Sequence, residues 1–492
     1  MSEVTGNRPT ISAVKAMSTE PASPFMPIPP MYRMLALAAF AGTVLIIAIV
    51  ALNNQMVGAE IVIPALAVFA VVQAGPLIWY RRSFGWFHPL VFSALFALAS
   101  LWRNLPLYTE GLQQNDGLPG YNLDELASLM AASLLLTALA QLAYYAGFCL
   151  GPNVPVIKLS FPRPRRVGIK AFVIVIVSTL LLIMYILGRD GLSAYLLLLG
   201  QGRSTLIDQG LLSGEWVIIT RVSVVACLIW LMLDDRAVRQ PLFWISALLS
   251  LVSQYLVSLS RSSVIYFFIT ALLVWTIRAR KLDVIKVVLA VAIAMVLVGG
   301  LGTFRTSMWS GVVDWDAMVE TAPIEAFTRG VDELRYRGNE LNPIFPILAR
   351  VPHEVDLLYG RSYLPLLSLP VPRALWRDKP RSAGTVVGEI FLNTSAGVPP
   401  GAIGEAYWNF HVPGVLFVFA LFGVFQRWVA RSFQRYGATP AAILMYGVTL
   451  FLFNSPDVLT AVNWLYTIFL LLALLRLFGA LSLERREALL LN

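Results

Sequence analysis

Charge is what this chain has least of. Only 13% of its 492 residues are Asp, Glu, Lys or Arg, while 58% are hydrophobic; a soluble domain carries about 25% charged residues. A water-facing surface of this size must be covered with polar groups, so the deficit excludes a soluble globular protein and leaves a chain whose surface mostly faces lipid. Cysteine is nearly absent. Cys149 and Cys227 each lie inside an apolar run; they read as small buried hydrophobes and exclude a disulfide framework. The three histidines, His88, His353 and His411, are far apart. No zinc-protease, paired-cysteine or EF-hand spacing occurs, so no dedicated metal site and no cofactor is expected. Internal repeats, heptads and a P-loop are also missing, and Gly200 and Gly202 alone do not make a nucleotide fingerprint. Residues 1–30, polar and rich in proline, lack the apolar core of a signal peptide and read as a disordered cytoplasmic tail.

What is present is a succession of apolar runs. A spanning helix needs about 20 mostly apolar residues. Such runs lie at 34–52, 60–80, 87–102, 127–149, 170–188, 216–233, 241–259, 262–278, 284–303, 413–430, 438–454 and 459–478. The expected fold is therefore an all-α polytopic membrane protein of about 12 transmembrane helices. A bundle of about nine helices covers 31–303, a second group of about three covers 413–480, and a cytoplasmic tail covers 481–492. The net charge of +9 sits at the ends of the runs, which attributes it to topology and not to a nucleic-acid partner. With the N-terminus inside, every inner loop is basic: Arg81–Arg82, Lys158 to Lys170, Arg236 with Arg239, Arg278 to Lys281, Arg427 to Arg435, and Arg485–Arg486. The outer connections are neutral, acidic or mixed, as at 103–126. This positive-inside pattern predicts cytoplasmic N- and C-termini.

One connection is far longer than a linker. Residues 304–412 fall on the outer side, too apolar to be disordered and long enough to be functional. An amphipathic helix is expected over 315–337, a second interfacial helix over 342–350, and an irregular proline-rich stretch over 368–381.

A charge in or near a bilayer costs at least about 2.5 kcal/mol at a helix centre, so arginines on the outer edge need a reason. Arg203, Arg261 and Arg305 each sit among Gly, Ser and Thr at outer ends of runs. Each alone is compatible with snorkelling to headgroups; three at one face suggest a site. The late loop adds Arg350, Arg361, Arg373, Arg377, Lys379 and Arg381. Arg373, Lys379 and Arg381 lie in a proline-stiffened segment whose bland reading is a solvated basic loop held to the membrane by Trp376. Guanidinium and ammonium groups displayed there would suit phosphate. Arg329, Glu333 and Arg337 are spaced as ordinary helix-face pairs. Glu405, His411 and His353 are candidate bases toward a hydroxyl, and Tyr407 and Trp408 either stack on sugar or mark the interfacial belt.

The tract from about 355 to 425 resembles the Wzy-type polysaccharide repeat-unit polymerases of bacteria. The matching residues are Tyr359-Gly360-Arg361-Ser362-Tyr363-Leu364, Pro372-Arg373, Leu375-Trp376, Lys379-Pro380, Gly404-Glu405-Ala406-Tyr407-Trp408-Asn409-Phe410 and Pro413-Gly414, with the Ser260-Arg261-Ser262 turn earlier in the chain. Family members often carry glycine after the Asn-Phe pair, where this chain has His411. The first half of the chain matches only in hydropathy.

The resemblance implies a lipid-dependent glycosyltransferase of the C type (GT-C) with a large late periplasmic loop. Its activity would be inverting transfer on the outer face of the bacterial cytoplasmic (inner) membrane. Donor and acceptor would be oligosaccharides linked to undecaprenyl diphosphate, destined for O-antigen, capsule or exopolysaccharide, with neither metal nor nucleotide sugar. A chain-length regulator is a candidate partner beside the lipid bilayer. On this reading Arg261 and Arg305 stabilise the departing diphosphate. Arg203, Arg361, Arg373, Lys379, Tyr363 and Tyr407 hold substrate, and Glu405 is the first-choice base ahead of His353 and His411. An O-antigen ligase shares the donor and architecture. A secondary transporter or flippase predicts two related halves and mid-span charges, which the sequence does not display.

Overall fold

The computed structural model describes residues 24–81, 83–104, 120–188, 191–192, 194–196, 214–258, 261–309, 322–339, 343–368, 376, 383–394, 397–437 and 439–483. They are overwhelmingly helical. The helices are α1 (Pro30–Asn53), α2 (Ala59–Ile78), α3 (Pro89–Arg103), α4 (Leu123–Leu150), α5 (Val167–Leu187), α6 (Gly214–Leu233), α7 (Pro241–Ser258), α8 (Arg261–Ala279) and α9 (Val284–Trp309). The late segment contributes α10 (Pro323–Asn339), α11 (Ile344–Arg350), α12 (Leu364–Ser368) and α13 (Ala383–Phe391). The chain then closes with α14 (Gly401–Tyr436), α15 (Pro440–Leu452) and α16 (Val458–Phe478).

Each of the twelve apolar runs falls on a helix. Eight helices among the described residues are long and apolar enough to cross a membrane, while α3, α15 and the described parts of α7 and α8 (Pro241–Val257 and Tyr266–Ala279) are apolar but shorter. For α15 the reason is visible. Its 13 residues rise only about 20 Å, but nearly all are buried, because α6, α8, α14 and α16 pack around it. A helix enclosed by protein need not match the lipid thickness. At the periphery the opposite holds: Ile46, Met184, Ile285, Phe417 and Phe469 are exposed, a surface that only lipid would solvate favourably.

Local chemistry sets the helix ends. Asn122 and Glu125 form a reciprocal capping box at the start of α4, with bonds of 2.9 and 3.0 Å. Asp457 caps α16 through the Thr460 N–H at 2.8 Å.

The basic loops share one face. The Phe25 ring meets Phe433, and the Trp86 N–H donates to the Met26 carbonyl. Arg427 donates to the carbonyls of Cys149 and Gly151. Leu159 pairs antiparallel with Leu483, and Lys170 donates to the Phe478 carbonyl. Gly168 lies on Trp230, and Arg278 bonds the Met232 carbonyl and pairs with Asp235. Asn104, Ile344, Gly401 and Ser455 meet around one cavity mouth at the other end of the helices.

The long late connection is not a free-standing lobe. The amphipathic helix is α10, which runs antiparallel along α9 with backbones in contact at Gly299–Ala326 and Gly330–Met295. Residues 315–321 of the stretch expected to be helical lie outside the described residues. Arg329 pairs with Glu325 at 2.6 Å; the side chains of Glu333 and Arg337 lie outside the described part. The helix at 344–350 is wedged into the bundle, with Ile344, Phe345 and Ile347 buried against α4 and α14. Of the two cysteines, Cys227 is buried as expected, whereas Cys149 is exposed at the end of α4.

α4 and α14 pack along their length and form the spine of the molecule. A Cβ on Gly147 would overlap the Ala420 carbonyl, and one on Gly423 would overlap that of Tyr144. The two backbones therefore touch, the close approach that small residues permit between membrane helices.

Candidate functional site

The site grows out of a break in α14. Pro413 has no N–H to give to the Asn409 carbonyl four residues back, and the helix is interrupted at Phe410 (φ −144°, ψ 22°) and His411 (φ 56°, ψ −152°). The carbonyls freed by the break are taken by the Tyr359-Gly360-Arg361-Ser362 turn. Leu358 N–H donates to Trp408 O at 3.0 Å, and Tyr359 N–H to Asn409 O at 3.1 Å. The Asn409 side chain completes the clamp: its Oδ1 accepts from Gly360 N–H at 2.8 Å, and its Nδ2 donates to Ser362 Oγ and to the Glu405 carbonyl, each at 2.7 Å. Two motifs almost 50 residues apart are thus one structural unit.

Glu405 lies one turn before Asn409 on the same face of α14 and is only 2% exposed. Its Oε2 accepts the Val458 N–H at 2.9 Å, which places the carboxylate at the N-terminus of α16, where a helix favours negative charge. Its Oε1 is buried without a close hydrogen-bond partner, the Ser362 hydroxyl being the nearby group that can turn toward the carboxylate. Tyr363, in the 3₁₀ turn Arg361–Tyr363, has a buried hydroxyl that is also without a partner. Burial pushes this phenol above its usual range, and the negative charges of Glu405 and Asp457 add to the effect, so it stays a proton donor. An orphan acceptor and an orphan donor thus lie buried beside one helix end, two hydrogen-bonding capacities that the protein itself leaves unused.

Of the other residues singled out in the sequence, Arg361 belongs to this unit and is exposed, a cation adjacent to Ser362. Tyr407 lies on the far side of α14 from Glu405, two residues on and so about 200° around the helix, and His411 lies at the break itself. The Tyr407 hydroxyl and His411 Nε2 are 2.6 Å apart. Trp408 neither stacks on an open surface nor sits in a belt: it is 1% exposed, edge-on to Phe391, and its Nε1 donates to the Asp356 carbonyl. His353 is exposed in the turn after α11. Arg203, Arg373 and Lys379 lie outside the described residues. Arg261 opens α8 and Arg305 lies near the end of α9; their side chains also lie outside the described part. Because α8 packs antiparallel on α9, the backbones at 261 and 305 share one face.

His411 occupies a backbone conformation that glycine favours and other residues pay about 1–3 kcal/mol to adopt. The position asks for a backbone geometry that glycine adopts freely, not for an imidazole. His411→Gly is expected to leave thermal stability equal or higher, the lost Tyr407 bond of about 1 kcal/mol being offset, and to keep any activity within a few-fold. A melting curve and an activity assay of the variant check both.

Sequence reasoning missed Arg221. It lies inside the α6 span and donates to Asn463 O and Oδ1 at 3.3 and 3.2 Å. Asn463 is only five residues, about 7.5 Å of rise, beyond the Val458 amide that Glu405 holds. The signal was available: a guanidinium inside an apolar run marks a functional position by default.

The class these features define is an all-α membrane protein with a buried carboxylate, Glu405, held at the start of its last long helix. Compared with family models, curated proteins and solved structures, the chain matches none.

Proposed function

We propose that the chain is a membrane glycosyltransferase that joins oligosaccharide repeat units carried on undecaprenyl diphosphate. The face bearing Glu405 is the outer face of the bacterial cytoplasmic membrane in this reading, and the basic loops are cytoplasmic. The observation that carries the reading is the Glu405 carboxylate: buried, one oxygen fixed on the Val458 amide, the other unpartnered, in the motif that resembles the polymerase family. The chemistry follows from these atoms. Glu405 Oε1 takes the proton of an acceptor hydroxyl. The hydroxyl oxygen bonds to the anomeric carbon of the donor, inverting it. The carbon–oxygen bond to phosphate breaks, and the lipid diphosphate leaves with the electron pair. Diphosphate is a good leaving group and mainly needs preorganised positive charge, which Arg361 and Arg221 supply, together with Arg261, Arg305, Arg373 and Lys379. The GT-C architecture, with twelve spans, belongs to the same proposal.

The test is reconstitution of the full chain in liposomes with lipid-linked repeat units, beside complementation of a strain lacking it. The expected result is longer lipid-linked chains with the protein, and glycans capped by single units without it. Normal lipid-linked chains with loss of attached polymer would instead assign a ligase. Trapping of lipid-linked units on the inner leaflet would assign a flippase.

A further inference from the structure

Next to the turn of α14 that precedes Glu405, between α2, α3, α4 and α14, lies a cavity of about 360 Å³, within the size range of small-ligand sites. Gly401 to Gly404, the turn of α14 before Glu405, form part of its wall, with Ser455 and Pro456 from the segment leading into α16. It extends from Asn104 at the end of α3 to Ser93 near the start, a depth of about 16 Å.

Its lining is unusual for a membrane interior. The polar groups are amides and hydroxyls, among them Gln73, Ser93, Thr137, Gln141 and Gln426, and no Asp, Glu, Lys, Arg or His among the described residues contributes. Aromatic faces from Phe92, Phe96 and Phe422 alternate with them. Hydrogen bonding between the helices explains only part of this polarity. Gln141 Nε2 does donate across to Ser93 Oγ at 3.2 Å. The hydroxyls of Ser93, Ser133 and Thr137 donate to carbonyls of their own helices, so each keeps acceptor capacity toward the cavity. Gln426 is decisive. It is 2% exposed, its Nε2 donates to the Phe453 carbonyl at 2.8 Å, and this bond fixes the amide so that Oε1 faces no donor at all. A buried acceptor without a donor costs about 1–3 kcal/mol, a cost that an O–H or N–H brought by an occupant of the adjoining cavity would relieve.

We propose that this cavity is a subsite for one uncharged sugar residue, held by the amides of Gln141 and Gln426 and by flanking aromatic rings. Hydroxyl-rich rings present donors and acceptors to amides and C–H faces to aromatics. A sugar acid or a sugar phosphate would bring a charge that this lining has no cation to pair, a heavy penalty in a low-dielectric site. The proposal rests on the transferase reading for its biological occupant, but binding can be measured apart from transfer.

The experiment titrates the full chain, in lipid nanodiscs free of sugar detergent, with methyl glycosides of glucose, galactose, mannose, rhamnose and N-acetylglucosamine. Methyl glucuronide and glucose 6-phosphate serve as charged counterparts. At least one neutral glycoside is expected to bind at millimolar concentration, and the charged pair at least tenfold more weakly. Gln426→Leu is expected to weaken the neutral ligand about tenfold, the worth of one lost hydrogen bond. Ser93→Phe, which fills the cavity, abolishes binding and covers the case in which Gln426→Leu fails to fold. The proposal is overturned if no neutral glycoside binds, if the charged pair binds equally well, or if both variants bind like the parent. Glycoside binding without chain extension would sink the transferase reading and leave the subsite. Extension with no glycoside binding would do the reverse.

Discussion

Glu405→Gln is expected to give a folded, membrane-inserted protein that extends chains 10²- to 10⁴-fold more slowly, the usual contribution of a positioned general base. The substitution is nearly isosteric, and glutamine Oε1 still accepts the Val458 N–H that glutamate Oε2 accepts at 2.9 Å. The start of α16 is therefore kept while the proton acceptor is lost. Retained stability separates chemistry from structure. The measurement is chain length per unit time in liposomes, alongside a melting curve. Parent-like rates from this variant would remove Glu405 from the mechanism, and His353 would then be the remaining carboxylate-independent candidate, since His411 is accounted for by backbone geometry.

The second large effect concerns the spine. Gly147→Val places a side chain where the Ala420 carbonyl now sits, and Gly423→Val does the same against the Tyr144 carbonyl. Neither obstacle is a flexible side-chain tip; both are backbone, so α4 and α14 must separate. Overpacking of this kind costs about 1–3 kcal/mol per site, a large share of the 5–15 kcal/mol that typically holds a domain together. The same movement shifts the helix that carries Glu405 and one wall of the amide-lined cavity. A displacement near 1 Å at a reacting group is worth about a hundredfold in rate. Each variant is thus expected to melt lower and to lose transfer, and the pair Gly147→Ala with Gly423→Ala to show the same trend. Unchanged melting temperatures in the valine variants would show that the helices are not in backbone contact.

Much of this was legible in one dimension. The run of apolar segments and the sign of the loop charges carry the membrane fold, because lipid and a charged surface impose patterns that repeat every span. Glu405 was legible as a carboxylate among glycines and apolar residues. Its role partner was not: the Val458 amide opens α16, 53 residues later, and nothing in either segment announces the other. Trp408 shows the reverse. Its place near an expected membrane boundary suggested an interfacial aromatic, yet the turn after α11 and α13 closes over it and makes it core. Arg221 was not legible as a site residue from the span-end pattern, because it lies inside a span, away from the ends where snorkelling and phosphate binding compete.

Composition and hydropathy alone determined that this chain lives in lipid as a helical bundle, because desolvating backbone and side chains along 20-residue stretches is a local matter. The break at Pro413 was also dictated locally, by an imino nitrogen that has no proton to donate. What only the tertiary structure decided is which distant groups close around that break. It joined the Gly360 turn to Asn409, the start of α16 to Glu405, and Asn463 to Arg221. It also left Gln426 with an open acceptor. Those are contacts between segments tens to hundreds of residues apart, selected by how helices pack and not by any residue's own preference.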